Sequence, residues 1–457
     1  MTLRQYLGES EHALKANRTC VWLDASMVTV HRSGKGEFLE GLDVTDPEWK
    51  EWLSEERASQ KTITRQIRRP SSPTLAPPAP SSTMREVNIV LSGSSSGKGD
   101  EVFIDGSLLE ILSRNLSETS GINPSLGHVA DNALRLKLTS KTFDNGTAIS
   151  ALLSEQPAHR FLWSSQTETT SGLPGVMVDK KVYGLLFQAM DAIGVAYLDR
   201  ISAENADGST VGETLASAHQ VMSFDVERIG NACEVLSNIC SSETFAPAYG
   251  WLLFAIRASH YENSSANRFT RDEIEEVCER ALECGRSNAF VVSAVSATYL
   301  RLLDRFDDGV ALAHRAFSLA PSNPFAIDAL ASAFYMGDMI EKGYLLSRAA
   351  AMLSRNTSFS SFFAMSQCVG ATLYGRLDEA RQLAISASAV SPKLRSAWRF
   401  RLALAANSGD FNEAGLCKRM LERHERNFDV DRMLHDPAYP VHSIRASSIE
   451  MQRIREF

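Results

Sequence analysis

The second half of the chain repeats a short motif at a nearly fixed spacing. Residues 304–309 read DRFDDG, residues 375–380 read GRLDEA, and residues 409–414 read GDFNEA. The last two copies begin 34 residues apart, and a weaker copy, GDMIEK, occupies residues 337–342. An internal repeat of this length constrains the fold more than any single motif, because each unit must bury its apolar face against the next.

The residue types of the repeat favour pairs of packed helices. Gly-Arg-Leu and Gly-Asp-Phe suit a tight turn, alanines at 380, 387 and 414 let two helices approach closely, and Pro392 ends a second helix. Residues 245–262 with 272–282 indicate an earlier pair, and residues 214–241 indicate a degenerate first pair. The sequence therefore predicts about six pairs over residues 210–424, followed by a polar tail or cap over residues 425–457.

This pattern resembles the tetratricopeptide repeat. In repeat proteins of this kind, stacked helix pairs form a concave groove that binds a peptide or a protein partner. On the register that the resemblance implies, Thr298, Arg301, Phe334 and Arg399 face the groove. The alternative for each is ordinary surface exposure or packing between repeats.

A proline-rich segment separates the N-terminal part of the chain from the rest. Residues 66–84 contain five prolines among serines and alanines, a composition that excludes helix and sheet pairing and is typical of an extended linker. A weaker boundary is the polar stretch 202–212. Residues 1–65, 85–201 and 210–424 are therefore expected to form three domains.

Residues 85–201 carry the alternating signals of a small α/β domain. Strands are predicted at 87–91, along the alternating leucines of 134–138, at 148–153 and at 160–165, with a hairpin turn at the Asp-Asn-Gly of 144–146. A capping box at Ser107 predicts the start of a helix, and a second helix is expected over residues 179–201.

The N-terminal 65 residues suggest two short strands within 17–30 and a helix that begins at Asp46-Pro47. Four cations, Arg57, Lys61, Arg65 and Arg68, continue along one helical face. They are candidates for a phosphate contact. The alternative is a solvated face near a helix C-terminus, where cations suit the helix dipole.

Two further stretches resemble parts of bacterial transcriptional regulators. Residues 36–57 (GEFLEGLDVTDPEWKEWLSEER) are similar to the end of a bacterial transcriptional activation domain of the SARP-like type, which follows a winged-helix DNA-binding domain. Residues 103–106 (FIDG) and 159–163 (HRFLW) resemble a TolB-like domain. Residues 1–65 match only a remnant of the winged helix, without its base-reading residues. A DNA-binding regulator whose winged helix is truncated here, or is supplied by a partner chain, is therefore the alternative to a regulator without DNA binding.

The Ser/Gly-rich loop 92–99 (SGSSSGKG) invites comparison with two catalytic motifs. A P-loop requires four residues between its first glycine and the Gly-Lys pair, followed by Ser or Thr, but three residues separate Gly93 from Gly97 and Gly99 follows Lys98. A nucleophile elbow requires a helix directly after the serine. The loop is therefore predicted to be non-catalytic, and an enzyme that uses it is the least favoured hypothesis.

Composition narrows the remaining function classes. The net charge of −8 gives no global attraction for nucleic acid, and seven cysteines without a C-x-x-C motif suit buried thiols in a reducing compartment. No His/Cys grouping predicts a metal site, no cofactor is expected, and no N-terminal signal or membrane span is indicated. The sequence predicts a cytoplasmic, multidomain, non-enzymatic regulatory scaffold that binds a protein or peptide partner. Oligomerisation is compatible with the sequence, which does not determine the oligomeric state.

Overall fold

The computed structural model describes residues 87–93, 99–127, 133–170, 173–204, 209–262 and 269–456, together with two short strands near the N-terminus. The chain divides into two compact units, residues 1–83 and 84–457. In the first unit, β1 (Leu14–Ala16) pairs antiparallel with β2 (Val21–Leu23). Only β2 falls within the predicted range of 17–30. The helix predicted from Asp46 and the cationic face lie outside the described residues.

The second unit begins with a five-stranded sheet. Its strands are β3 (Asn88–Ser92), β4 (Ser125–Leu126), β5 (Ala133–Phe143), β6 (Gly146–Glu155) and β7 (Arg160–Thr169), in the order β4-β3-β5-β6-β7. β3 runs parallel to β4 and β5, and the other pairs are antiparallel. The alternating leucines of β5 are buried, as their period predicts, and the Asp-Asn-Gly turn closes the β5–β6 hairpin.

Three helices lie between or just after the strands: α1 (Gly99–Ser120), α2 (Leu173–Val176) and α3 (Lys180–Glu204). α1 and α3 contact each other and the sheet. The prediction that the first of them begins at Ser107 was wrong, because α1 begins at Gly99. Contacts with β5 hold the added turns in place: Asp105 accepts hydrogen bonds from the backbone nitrogen and hydroxyl of Ser140, and Glu101 accepts one from the backbone nitrogen of Thr142.

The described part of residues 210–424 contains six helix pairs. They are α4 (Thr210–Met222) with α5 (Val226–Ser242), α6 (Ala246–Tyr261) with α7 (Arg271–Gly285), α8 (Ala289–Arg301) with α9 (Phe306–Leu319), α10 (Pro324–Met336) with α11 (Ile340–Leu353), α12 (Ser360–Leu373) with α13 (Leu377–Val390), and α14 (Arg395–Ser408) with α15 (Phe411–His424). The structure is thus a small sheet followed by a long helical region, compatible with a helical-repeat solenoid.

The repeated motif forms the turn inside a pair. Asp304, Asp338, Gly375 and Gly409 all have φ between +53° and +81°, the left-handed region that ends a helix. After Asp338, Gly375 and Gly409 the next residue donates its backbone N–H to the carbonyl five positions earlier at 2.8–2.9 Å, a Schellman-type bond, and after Asp304 the N–H of Arg305 reaches the carbonyl six positions earlier at 3.0 Å. Glycine or aspartate occupies this position in all four turns, and the weaker copy aligns on Asp338, 34 residues after Asp304.

The first helix of one pair contacts the first helices of pairs that lie two or more positions farther along the chain. The ring of Phe254 on α6 lies 6.2 Å from Phe325 on α10 and 4.8 Å from Phe362 on α12. Farther along, Arg395 on α14 donates its backbone N–H to Glu262, just past the end of α6. The first helices therefore surround a narrow interior rather than a wide open groove.

Helices α1 and α3 close one end of this interior. The Phe187 ring of α3 lies 5.5–6.3 Å from the rings of Phe325, Phe359 and Phe363, and α1 bonds to the starts of α6 and α8. The described residues of the sheet and of the helical region thus share one main hydrophobic core, beside two smaller clusters within α8–α11. The bounds of a middle domain at 85–201 and a helical domain at 210–424 stay a prediction.

The last segment packs against the helical region. α16 (Val430–His435), α17 (His442–Arg445) and a 3-10 helix (Met451–Glu456) bury Tyr439, Ile444 and Ile454. Of the two forms predicted for residues 425–457, the described residues have that of a cap. None of the helices described is long and apolar enough to cross a membrane.

Candidate functional site

The structure places the four residues predicted to face the groove in different surroundings. Thr298 is fully buried, and its hydroxyl donates to the Ala294 carbonyl one turn earlier at 2.8 Å. Phe334 packs beside His314 and Lys342, which belong to the second helices α9 and α11. Thr298 is thus enclosed, Phe334 packs against the second helices, and a partner in the interior would meet neither of them.

Arg399 is also an interior residue rather than an open groove residue. Its guanidinium pairs with Glu425 at 2.8 Å, hydrogen-bonds to the Tyr439 hydroxyl at 3.1 Å, and donates to the Tyr261 carbonyl. Both members of the ion pair are 0–1% exposed. The physical reason for the failed expectation is that the cap supplies a carboxylate to Arg399, which a repeat register cannot reveal.

Arg301 lies in a polar cluster between the first helices, together with residues that the sequence did not single out. We call the set Arg257, Tyr261, Arg301, Asp328 and Ser366 the arginine cluster. Arg301 bonds to Ser332 at 2.9 Å, and its guanidinium carbon lies 5.8 Å from the Tyr261 ring centre. Ser366 donates a short hydrogen bond to Asp328.

Helical spacing and the aromatic core position the cluster. Phe254, Arg257 and Tyr261 fall at three- and four-residue intervals on α6, so they share the face that meets the interior. The Arg257 guanidinium lies 5.1 Å from the Phe254 ring centre and donates to the Ala294 carbonyl of α8 at 2.9 Å. The ring contact orients the guanidinium plane, and the hydrogen bond holds it against α8.

Burial perturbs the charged groups of the cluster. Arg257 is 8% exposed, and burial lowers the pKa of its guanidinium to about 10. Burial likewise raises the pKa of Asp328, even though Ser366 and the two arginines favour its carboxylate. Tyr261 and Asp328 raise the pKa of Arg301. Arg301, Asp328, Tyr261 and Ser366 each keep part of their surface in contact with solvent.

The cluster offers hydrogen-bond donors rather than catalytic groups. Burial raises the pKa of Cys278, beside Arg257, to about 12, so its thiol is protonated at neutral pH. Among the described residues, no three His, Cys, Asp or Glu side chains are grouped to hold a metal. Most of the loop 92–99, and the cations Arg57, Lys61, Arg65 and Arg68, lie outside the described residues.

Two cavities lie elsewhere in the described part of the chain and are lined by other residues than the arginine cluster. A small cavity of about 30 Å³ between Asp191, His219 and Trp251 has room for water but not for an organic ligand. An open cleft of about 400 Å³ lies between the end of α1, the start of α6 and the α7–α8 turn. Its residue Glu118 already accepts a hydrogen bond from the first N–H of α8 at 3.2 Å.

Comparison with known proteins gives little. No family model matches the chain, and no curated protein matches it. A solved structure titled "Functional Characterization of Pseudomonas Aeruginosa pilF" is 15% identical over 55% of this chain and 95% of that chain, with a TM-score of 0.29. A likeness this weak carries no argument about fold or function.

Proposed function

We propose that this chain is a non-enzymatic regulatory scaffold that binds a protein or peptide partner at the arginine cluster between its helix pairs. The observation that carries the proposal is that the cluster combines buried cationic donors with solvent contact. Other parts of the interior that the structure describes are occupied by the rings of Phe187, Phe254 and Phe325 and by the ion pair of Arg399 with Glu425. A partner would therefore insert a side chain or a chain terminus rather than lie along the whole groove.

The repeat supports an interaction role. Six stacked pairs, four of which share the same turn, fit the architecture that the tetratricopeptide resemblance implies, and such stacks serve as interaction surfaces. The resemblance of residues 36–57 and of residues 85–201 to transcriptional regulators supports the proposal that the scaffold acts in bacterial transcription regulation, and we propose a cytoplasmic location with it.

A DNA-binding regulator is the second candidate, supported by the same likeness of residues 36–57. The remnant at residues 1–65 would need a complete winged helix, from a longer chain or from a partner. A gel-shift series with promoter fragments at rising salt tests it, because phosphate contacts weaken steeply with salt. Absence of any salt-sensitive shift by this chain speaks against DNA binding by the chain alone.

The scaffold proposal is tested by partner capture with the full chain. The wild type, Arg301→Gln and Arg315→Met are immobilised at equal density, and bound proteins are identified by mass spectrometry. Arg315 is an exposed arginine on α9 and serves as the matched control. We expect one partner to be retained by the wild type and the control and lost from Arg301→Gln. Equal capture by all three would contradict binding at the cluster.

A further inference from the structure

We infer that the arginine cluster is an oxyanion site in which Arg257 and Arg301 bind one carboxylate or phosphate group. The inference rests on the proposed function and deepens it, because it names the chemical group that the partner presents. Three observations carry it: the charge balance of the cluster, the unused donors of Arg257, and the contrast with the other buried arginines.

The charges of the cluster do not balance. Arg257 and Arg301 bring two positive charges, and Asp328 brings one negative charge. The other polar groups near them, Tyr261, Ser332 and Ser366, are neutral. One positive charge thus remains uncompensated in a region that is largely removed from water, where an anion would be bound more strongly than at an open surface.

Arg257 also has unused donors. A guanidinium carries five N–H groups, and among the residues that the structure describes, the Ala294 carbonyl is the one hydrogen-bond acceptor that Arg257 meets. Its contact with Phe254 fixes the plane of the group. A planar guanidinium held in this way has the geometry that binds carboxylate or phosphate through two parallel hydrogen bonds.

Two other buried arginines of the helical region each form an ion pair with a carboxylate of the same chain. Arg399 pairs with Glu425 at 2.8 Å, and Arg401 pairs with Glu413 at 2.5 Å. Each has a carboxylate within the chain. Arg257, similarly buried, has none within ion-pair distance in the described part of the chain. We therefore assign its missing carboxylate or phosphate to a bound molecule.

The test measures thermal unfolding of the full chain in sodium succinate, sodium phosphate and sodium chloride at matched ionic strength. We expect a saturable rise of the wild-type midpoint by about 1–2 °C in succinate or phosphate over chloride. Arg257→Met keeps the side-chain length but removes the charge, and should abolish the rise. Arg315→Met should keep it. If Arg257→Met does not fold, Arg301→Gln provides the same comparison.

The results separate the possible failures. Equal wild-type midpoints in all three salts, or an unchanged rise in Arg257→Met, would overturn the oxyanion site. A rise in phosphate alone assigns a phosphate ligand, and a rise in succinate alone assigns a carboxylate. A saturable rise without any captured protein would contradict the scaffold proposal while leaving the oxyanion site supported. Identical capture of a partner by the wild type and by Arg257→Met would contradict the oxyanion site and leave the scaffold proposal supported.

Discussion

The indole nitrogen of Trp251 donates a hydrogen bond to the backbone oxygen of Thr119 at 2.8 Å, in a buried position. The two residues are 132 positions apart and join α6 of the helical region to the end of α1 beside the sheet. Nearby, Asn288 donates to the Glu118 carbonyl at 2.8 Å. The sheet-side helix α1 is therefore fastened to the starts of α6 and α8 by buried hydrogen bonds.

Replacing Trp251 with phenylalanine should weaken the contact between α6 and the end of α1 while an aromatic ring still fills the space. The ring stays in the aromatic core, but the Thr119 carbonyl loses its donor, which costs about 1–3 kcal/mol for a buried acceptor. Urea unfolding measures the loss. Val390→Ala, at an exposed position, should change stability by less than about 0.5 kcal/mol. An unchanged midpoint in Trp251→Phe would mean that the hydrogen bond does not stabilise the unit.

Two glycines should respond to alanine in opposite directions. A Cβ at Gly250 would lie 2.6 Å from the ring of Phe290, which is fixed by Trp251 and Phe325, so Gly250→Ala should destabilise by about 1–3 kcal/mol. At Gly106, inside α1, a Cβ meets nothing within 4 Å, and Gly106→Ala should stabilise by about 0.5–1 kcal/mol. Chemical denaturation of both variants checks the signs. Two losses of equal size would be inconsistent with the packing described.

The buried pair Arg399–Glu425 should be far more sensitive than an exposed pair. Glu425→Gln leaves the Arg399 charge without its main partner and should cost about 3–5 kcal/mol. In the exposed pair Arg455–Asp431, Asp431→Asn should cost less than about 1 kcal/mol. Equilibrium unfolding at neutral pH compares the two variants. If Glu425→Gln is as stable as Asp431→Asn, the cap does not depend on this ion pair.

Alkaline pH should destabilise the fold through its buried thiols. Burial raises the pKa of Cys278 from its ordinary value of 9.0 to about 12. Above pH 9 the unfolded chain loses this proton while the folded chain keeps it, so the thiol's contribution to stability is full below pH 9 and is lost as pH rises. The free energy of unfolding should therefore fall by up to about 1.4 kcal/mol per pH unit for this group.

The control for this pH dependence is Cys278→Ala. Its stability should fall less steeply than that of the wild type between pH 9 and pH 10.5, whatever its stability at neutral pH. Parallel curves for the two proteins would show that Cys278 ionises equally in the folded and unfolded chain.

The sequence predicted most of the local structure because local signals determine it. The alternating leucines of β5, the Asp-Asn-Gly turn and the repeated turn all depend on residues close together in the chain. The start of α1 was misplaced because Asp105 and Glu101 are held by β5, some 35–41 positions away. Such a contact overrides a capping signal and cannot be found from spacing alone.

The candidate site was only partly predictable, for the same reason. The repeat register identified Arg301, but it could not show that the cap supplies Glu425 to Arg399 or that Thr298 is enclosed. One signal for Arg257 does exist in the sequence. It is a lone cation directly after the most apolar run of the chain, residues 249–256, where a charge requires either a partner or a ligand.

The most direct test of partner binding at the cluster is selection from a displayed random-peptide library. The full-length wild type, Arg257→Met and Arg315→Met are used as parallel targets. Our account predicts that wild type and Arg315→Met enrich the same peptides, that these peptides carry Asp, Glu or a free C-terminal carboxylate at a fixed position, and that Arg257→Met does not retain them. Enrichment of one common peptide set by all three proteins, or of peptides without an acidic group, would contradict it.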